Sequence, residues 1–246
     1  MLALLSDIHA NLEALEACLA HARAKGARRF AFLGDIVGYG ADAAPVVARI
    51  MEHAASGAVV VKGNHDEAVA AGLPAYMNES VRSAIRWAQQ TLSAEQRAFL
   101  GGLPLVVRQE RMCFVHASAA APARWQYVDS PAAALQSARE ADVAYTFSGH
   151  VHEQMLYPQV AEGRMTAYRP PSGVQVAMGA HRRWVALVGS VGQPRDGNPA
   201  AAYSLFDVER GILTFCRVAY DHLAAAAKIR AAGLPESLAF RVERGV

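Results

Sequence analysis

Short apolar runs alternate with amphipathic stretches in the first part of the chain. The runs predict buried β-strands over Met1–Leu5, Arg29–Leu33 and Ala58–Val61. Leu12–Ala24 has apolar positions at i, i+3 and i+4, which predicts a helix, and Pro45–Ala55 is the next predicted helix. Because strands that alternate with helices form parallel sheets with right-handed crossovers, the chain is predicted to open with a βαβαβ unit.

A helical pattern extends over residues 67–101, and we expect this segment to be an insertion beside or over the sheet. Val81–Thr91 is one predicted helix, and a second begins after Ser93, whose Ser-x-x-Gln box to Gln96 is typical of a helix N-terminus. The middle of the chain then has predicted strands at Leu105–Arg108 and Met112–Val115, a helix at Pro131–Glu140 and a strand at Tyr145–Ser148.

Beyond residue 153, short strand candidates follow one another closely. Such spacing is typical of antiparallel sheets, so we expect a second, antiparallel sheet here, followed by a helix over His222–Ala232 and a short tail. The predicted strands are Gln154–Tyr157, Val174–Ala177, Trp184–Leu187, Tyr203–Asp207 and Ile212–Val218. The whole pattern predicts an α/β fold in which residues 1–246 form one domain, with two packed sheets inside and helices outside.

Aspartate, asparagine and histidine residues lie directly after several of the predicted strands. Ligands in an open α/β sheet gather at the carboxyl ends of strands, so we expect these side chains to meet at one edge. Each of these segments, taken alone, has a purely structural explanation, such as a Gly-Asp turn or a core histidine. Their occurrence together predicts a dinuclear metal site. Strand-like alternation would put His150 and His152 on one side. The segments are Asp7-Ile8-His9, Gly34-Asp35, Gly63-Asn64-His65-Asp66, Val115-His116 and Gly149-His150-Val151-His152.

The amino-acid composition argues against several classes of protein. A chain that is 53% hydrophobic and 19% charged is typical of a folded domain, not of a disordered, collagen-like or coiled-coil protein. The formal net charge of +2 and the scattered arginines give no basic stripe, which argues against nucleic acid as a partner and against a nuclease.

The three cysteines Cys18, Cys113 and Cys216 contain no CxxC pair, which argues against a disulfide framework or a cysteine zinc site. We expect them to pack as small hydrophobic residues in a reduced compartment. The start of the chain does not have the pattern of a signal peptide, and apolar runs stay well short of the ~20 residues of a membrane span. The expected location is therefore the cytoplasm, without membrane association.

The ordered motifs D-x-H, G-D, G-N-H-D, H and G-H-x-H resemble the calcineurin-like metallophosphoesterase superfamily. The segments GDIVGYGAD, GSVGQPRDGNP and AYSLFD are similar to its small bacterial phosphodiesterase-like members, and the resemblance covers essentially the whole chain. It implies a four-layer α/β sandwich of two mixed sheets flanked by helices, holding two metal ions about 3.5 Å apart. Carried over by position, it implies a first ion on Asp7, His9 and His152, a second on Asn64, His116 and His150, and Asp35 bridging both.

The resemblance also implies roles for the neighbours of these ligands. Mixed oxygen and nitrogen donors suit divalent ions, with Mn²⁺ expected and Fe, Zn²⁺ or Ni²⁺ as alternatives. His65 would be the general acid, which protonates or hydrogen-bonds the leaving-group oxygen, and not a ligand. Asp66 would either orient His65 or cap the following helix. Arg195, Asn198 and Tyr39 are further candidates for binding substrate, with a solvated arginine and a loop-supporting tyrosine as the structural alternatives.

The segment after Asp35 departs from the protein Ser/Thr phosphatases, which have Asp-Arg-Gly where this chain has Gly38-Tyr39-Gly40. The phosphate-clamping arginine of that branch is absent, which argues against a phosphoprotein substrate. We expect a metal-dependent phosphoric ester hydrolase, in first place a phosphodiesterase, that acts on a small phosphorylated substrate, with nucleotide-like compounds among the candidates. A phosphomonoesterase or a dinucleoside polyphosphate hydrolase would use the same residues, and a non-catalytic scaffold would keep the same fold. The alanine-rich helix near the C-terminus leaves a homo-oligomer open.

Overall fold

Residues 1–74 and 77–246 are described by a computed structural model of the chain. Within these ranges the strands are β1 (Leu2–Leu5), β2 (Arg29–Phe32), β3 (Val59–Val60), β4 (Val106–Gln109), β5 (Met112–Val115), β6 (Tyr145–Ser148), β7 (Gln154–Ala161), β8 (Arg164–Met165), β9 (Gln175–Ala177), β10 (Trp184–Val188), β11 (Ala201–Asp207) and β12 (Ile212–Val218). The α-helices are α1 (Leu12–Ala24), α2 (Ala43–Ala55), α3 (Asn64–Ala71), α4 (Glu79–Thr91), α5 (Ala94–Gly102), α6 (Pro131–Ala141), α7 (His222–Ala231) and α8 (Glu236–Arg244), and a short 3₁₀ helix covers Pro122–Arg124.

The strands form two mixed six-stranded sheets. The first sheet has the order β3-β2-β1-β11-β12-β9, in which β1, β2 and β3 are parallel. The second has the order β4-β5-β6-β10-β7-β8, in which β5, β6 and β10 are parallel. Helices flank the two sheets, so the predicted α/β sandwich and the predicted βαβαβ opening are confirmed.

The core of the molecule lies on both faces of the first sheet, because successive side chains of a strand point to opposite faces. Leu2 and Leu4 of β1 belong to the cluster between the sheets, together with Phe114 and Phe147 of the second sheet. The alternate residues of β1, with Leu5 among them, pack in the cluster formed with the helices. A strand buried on both faces needs an unbroken apolar run, which is what the sequence has here.

The helices that surround the sheets include the predicted insertion. Helices α3, α4 and α5 link β3 of the first sheet to β4 of the second. Helix α5 begins at the predicted capping box, where Ser93 Oγ accepts from the backbone N–H of Gln96 and Gln96 Oε1 accepts from that of Ser93. The three cysteines are buried free thiols, as expected.

The prediction of a separate antiparallel sheet after residue 153 is wrong. The later strands are divided between the two sheets: β7, β8 and β10 complete the second, and β9, β11 and β12 complete the first. Strand β10 pairs in parallel with β6, and β11 returns to pair antiparallel with β1. Close strand spacing indicates which neighbours are antiparallel, but it does not indicate the sheet that they join.

The predicted short tail is also wrong, because the chain ends in helix α8. Its residues Leu238, Ala239 and Val242 are buried in the same cluster as α7. These three apolar positions fall on one helical face, so the signal was present in the sequence. In the part of the chain that the structure describes, no helix has the length and apolar character that a membrane crossing requires.

Candidate metal centre

The polar side chains that follow the strands meet at one edge shared by both sheets. Asp7 and His9 follow β1, Asp35 follows β2, Asn64 begins α3 after β3, His116 follows β5, and His150 and His152 follow β6. Each of these seven side chains is buried, at 9% exposure or less. The structure therefore brings together all the residues that the sequence analysis proposed as ligands.

One group of these side chains, which we call the first half of the centre, consists of Asp7, His9 and His152. The Nε2 atoms of His9 and His152 lie 3.1 Å apart. Asp7 Oδ1 lies 3.2 Å from Nε2 of His152 and 3.9 Å from Nε2 of His9. Three potential donor atoms thus converge within the distance that a single metal ion can span.

The second half of the centre consists of Asn64, His116 and His150. His116 Nε2 lies 3.2 Å from Asn64 Oδ1 and 3.0 Å from His150 Nδ1. Asp35 stands between the halves, since its Oδ2 is 3.4 Å from Nε2 of His116 and 3.7 Å from Nε2 of His9. A carboxylate in this position can contribute to both groups.

Backbone carbonyls orient three of the imidazoles. Nδ1 of His9 lies 3.1 Å from the carbonyl oxygen of Val37, and Nδ1 of His116 lies 2.8 Å from that of Leu33. Nδ1 of His152 lies 2.6 Å from the carbonyl oxygen of Gln193. A carbonyl only accepts hydrogen bonds, so each Nδ1 carries a proton and Nε2 is the nitrogen that faces the centre, where it has a lone pair to offer once it is deprotonated. This donor set fits divalent metal ions of borderline character.

Electrostatics favours the anionic form of the central carboxylate. Burial by itself would raise the pKa of Asp35, but His116 and His65 hold it well below its usual range. Burial and the neighbouring His116 lower the pKa of His150 to about 3, which keeps that imidazole neutral. Burial opposes the charged form of His116, yet Asp35 and Asp7 outweigh it and raise its pKa to about 9. The buried carboxylates thus attract positive charge to the centre.

The turns that carry these residues adopt left-handed backbone conformations. The φ angles are 52° at Asp7, 50° at His9, 51° at Asp35, 67° at His150 and 66° at His152. Such conformations cost roughly 1–3 kcal/mol each in non-glycine residues, so the surrounding structure must hold them. His150 and His152 lie in a loop and not in a strand, and they enter different halves of the centre. Strand alternation, the expected reason for these two imidazoles to face one side, therefore does not apply, although both rings reach the centre.

Glycines allow the close approach of these turns. A Cβ atom at Gly149 would overlap Ser6 Oγ and Asp7 Oδ2, and one at Gly63 would overlap Asp35 Oδ1 and the Asp35 backbone nitrogen. The same contacts fix the two carboxylates, because Asp7 Oδ2 accepts from the backbone N–H of His150 at 2.9 Å. Asp35 Oδ1 likewise accepts from the backbone N–H of His65 at 2.9 Å.

His65 stands beside the centre, 4% exposed. Its Nε2 lies 3.9 Å from Asp35 Oδ2, and a Cβ at Gly38 would overlap its Nδ1. This Nδ1 has no hydrogen-bond partner in the described residues. His65 also falls with His9 and Asp35 in a third group of possible donors, so distance alone does not separate it from the ligands.

Asp66 serves the backbone of the site. Its Oδ2 accepts from the N–H of Gly63 at 2.9 Å, which caps α3, and its Oδ1 accepts from the N–H of Ile36 at 2.9 Å and of Val37 at 3.3 Å. Burial and Asp35 raise the pKa of Asp66 to about 7. Of the two roles considered for Asp66, these contacts match the helix cap, and they also tie α3 to the loop that carries Asp35.

Tyr39 and Arg195 lie together against the first half. The Tyr39 ring centroid is 4.4 Å from that of His9 and 4.6 Å from that of His65. Arg195 Nη2 donates to the Tyr39 hydroxyl and to Gln193 Oε1, both at 3.2 Å. In the described part of the chain, the buried Nε of Arg195 and Nε2 of Gln193 lack partners. Buried donors without partners are rare in proteins, so these two atoms stand out among the polar groups beside the centre.

Asn198 has a different environment. Its side chain is exposed, and its Oδ1 accepts from the backbone N–H of Ala200 at 3.0 Å. Its backbone packs against Gly245 near the end of the chain. Asn198 thus stabilises a turn, and these contacts do not include the side chains around Asp35.

An open cleft that the sequence analysis missed adjoins the second half. This cavity of about 650 Å³ is lined by Asn64 and His150 of the centre and by Arg124, Trp125 and Tyr127 of a loop, among others. Trp125 has a φ of 54°, and the turn that presents it has no recognisable pattern in the sequence. Only the aromatic content of this loop could have drawn attention to it.

Comparisons with known proteins identify the family of the chain. A family model described as the calcineurin-like phosphoesterase superfamily domain matches residues 1–211. The chain belongs to this superfamily. It is 33% identical over 250 residues to an uncharacterised protein of Methanocaldococcus jannaschii, in a match that covers 100% of this chain and 98% of the relative.

Two solved structures are similar to the chain over its whole length. A metallophosphoesterase from Sphaerobacter thermophilus is 35% identical, with a TM-score of 0.88 and coverage of 100% of this chain and 98% of that one. A protein from Pyrococcus horikoshii OT3 is 20% identical, with a TM-score of 0.78 and coverage of 100% and 99%. The superfamily consists of metal-dependent phosphoesterases, which supports a hydrolase, and the matched range contains every residue of both halves of the centre.

Proposed function

We propose that this protein is a metal-dependent phosphodiesterase that uses two divalent ions, with Mn²⁺ as the first choice and Fe, Zn²⁺ or Ni²⁺ as alternatives. Asp7, His9 and His152 would hold one ion, and Asn64, His116 and His150 the other, with Asp35 shared. Such a pair of ions lowers the pKa of a shared water and neutralises charge on the phosphoryl oxygens. The observation that carries the proposal is the convergence of these donors beside an open cleft.

His65 is proposed as the group that donates a proton or a hydrogen bond to the leaving-group oxygen. It is buried next to the shared carboxylate, and its ring is held by Tyr39 and by the close approach of Gly38. A buried imidazole with a fixed ring can meet a leaving oxygen in one geometry, which is what general-acid catalysis requires. Arg195, whose buried Nε is free of partners in the described residues, would bind a phosphoryl oxygen.

The cleft favours a diester over a monoester. A phosphodiester carries two organic substituents, so one needs a place when the other leaves. The cavity of about 650 Å³ beside Asn64 and His150 offers that place directly next to the donors. A monoester would have no second substituent to fill it.

The test is one comparison of rates. The protein is stripped of metal, reloaded with Mn²⁺, and assayed on bis-p-nitrophenyl phosphate beside p-nitrophenyl phosphate. Metal-dependent turnover that favours the diester is the expected result. A preference for the monoester would overturn the diester assignment, and no turnover of either with metal bound would overturn the proposed activity on simple esters.

A second experiment separates His65 from the ligands. The variant His65→Asn should keep both metal ions and hydrolyse the diester roughly 10²–10⁴-fold more slowly, because the donor to the leaving oxygen is lost. Metal content by elemental analysis is measured on the same sample. Loss of one ion would make His65 a ligand, and an unchanged rate would remove it from the mechanism.

A further inference from the structure

We propose that the cleft beside the second half is a nucleotide subsite, in which a base stacks on Tyr127 and Trp125 and an additional phosphate contacts Arg124. This inference rests on the proposed function, because it identifies the substituent that the cleft receives. The substrate class would be phosphodiesters of nucleosides, with the base placed on the side of Asn64 and His150 and away from Tyr39.

Tyr127 provides a flat and accessible surface next to the donors. One face of its ring stacks on the His150 imidazole, with centroids 4.2 Å apart and planes at 19°. The side chain is nevertheless 51% exposed, so its remaining surface is open to a ligand. Trp125 adds a second aromatic ring, 6.0 Å from that of His116. Aromatic side chains bind bases by stacking, which tolerates any base.

The loop that carries these rings is held in place. Trp125 closes the 3₁₀ helix Pro122–Arg124, and its backbone N–H donates to the carbonyl of Pro122 at 3.2 Å. Val128, next to Tyr127, is 1% exposed and belongs to the cluster that contains residues of α6. A fixed aromatic surface costs a ligand little ordering entropy, so the subsite is preorganised.

The charges of the cleft favour an anion. Among the described residues, its lining contains one acidic residue, Glu67, and one arginine, Arg124. Glu67 is already paired with Lys62, at 2.8 Å between Oε2 and Nζ. Among the described residues the exposed Arg124 guanidinium has no ion-pair partner, so its positive charge can face a ligand, and a second phosphate of a nucleotide supplies a matching negative charge. The size of the cavity, about 650 Å³, is within the range of small-molecule sites.

The experiment has a kinetic and a binding arm, both on the Mn²⁺-loaded protein. The kinetic arm compares kcat/KM for the p-nitrophenyl ester of thymidine 5′-monophosphate with that for methyl p-nitrophenyl phosphate, which has the same leaving group and no base. The binding arm compares AMP with ribose 5-phosphate, and AMP with ADP, by calorimetry. We expect a preference of roughly 10-fold or more for each base-containing compound, as base stacking provides.

Variants link the preference to the cleft. Tyr127→Leu should reduce both preferences for the base by roughly 10-fold, and Arg124→Gln should remove the preference for ADP over AMP. Tyr168→Leu is the matched control for the tyrosine, because Tyr168 is 47% exposed and does not belong to the residues that line the described cleft. Arg210→Gln, at an exposed arginine of another cavity, is the control for the charge.

The outcomes distinguish this inference from the proposed function. Equal rates for the two esters together with equal binding of AMP and ribose 5-phosphate would overturn the nucleotide subsite, while metal-dependent hydrolysis would still support the phosphodiesterase. Hydrolysis of neither ester, with AMP bound more tightly than ribose 5-phosphate and the difference lost in Tyr127→Leu, would support the subsite and overturn the activity. A base preference that survives Tyr127→Leu would place the base elsewhere.

Discussion

The two halves of the candidate centre have similar donors but different surroundings. On the first half, Tyr39 packs its ring against His9 and is only 7% exposed, and Arg195 lies over it. On the second half, Tyr127 packs its ring against His150 and is 51% exposed beside the open cleft. In each half a tyrosine ring therefore packs against an imidazole. Tyr39 covers the first half, whereas Tyr127 borders the open cleft at the second half.

We propose that this difference in exposure separates two tasks of the centre, which are metal binding and the selection of a substrate. The first half holds its donors rigidly, because Gln193 anchors two of its side chains. The carbonyl oxygen of Gln193 contacts His152, and its side chain accepts from Arg195. The second half shares Asn64 and His150 with the cleft, so a substituent of the proposed substrate can lie against these two residues. We therefore expect changes to the first half to alter metal binding and chemistry, and changes around the second to alter substrate choice as well.

Replacing the carboxylate that joins the halves should have the largest effect. Asp35→Asn removes a negative charge between His9 and His116 but preserves the shape of the side chain. We expect metal content to fall and kcat/KM for bis-p-nitrophenyl phosphate to drop by roughly 10³-fold, since metal ions supply several kcal/mol of charge stabilisation. Elemental analysis and steady-state kinetics measure both effects.

Asp142→Asn is the matched control for this substitution. Asp142 has the same φ of 51° as Asp35, but it is an exposed residue that pairs with Arg183. Its replacement tests what a change from Asp to Asn does at a left-handed position outside the centre. Full metal content in Asp35→Asn would contradict the shared role of this carboxylate.

Single-half variants should sharpen the comparison. His152→Gln affects the first half and His150→Gln the second, and each should lower the affinity for one ion by more than the roughly 10- to 100-fold typical of lost supporting contacts. Titration with Mn²⁺ should then give two separate binding phases, with only one of them shifted in each variant. If either variant shifts both phases equally, the two halves do not act as separate sites.

The gathering of these residues at one edge could be predicted from sequence because it depends on local order along the chain, whereas their division between the two halves was implied by the family resemblance. Asp7, Asp35 and His116 each follow a buried strand, and parallel strands bring their carboxyl ends to one edge. Helix α1 was likewise predicted with the observed bounds, since Leu12–Ala24 has a regular apolar period. Signals of this kind lie within a few residues of the feature that they specify.

The surroundings of the halves could not be predicted, because they depend on contacts between distant segments. Arg195 reaches Tyr39 across 156 positions of the chain, and the sequence analysis proposed Asn198 as a substrate-binding residue as well. Tyr127 is placed on His150 by a turn with left-handed residues that have no glycine to signal them. The left-handed conformations of His150 and His152 are imposed in the same way, by the close packing of Gly149 on Ser6 and Asp7.

Gly149 should therefore be a strong determinant of stability. In Gly149→Ala, the new Cβ would overlap Ser6 Oγ and Asp7 Oδ2, and forced overpacking of this kind costs about 1–3 kcal/mol of unfolding free energy. Chemical denaturation measures the change. Gly102→Ala is the control, because a Cβ there has nothing within 4 Å and should leave the stability unchanged or slightly higher. Equal stability of Gly149→Ala and the unmodified protein would show that the loop can relax.

The smallest expected effect concerns Tyr39, which packs against the first half. Tyr39→Phe keeps the ring against His9 and removes only the hydroxyl that accepts from Arg195. Loss of one hydrogen bond, about 0.5–1.5 kcal/mol, should lower kcat/KM by roughly 2- to 12-fold, and KM should rise if the freed guanidinium no longer meets the phosphoryl group. Tyr145→Phe is the control, since its buried hydroxyl donates to the carbonyl of Met178. A fall in kcat/KM of the same size in both variants would mean that Tyr39 acts through general stability and not through its hydrogen bond with Arg195.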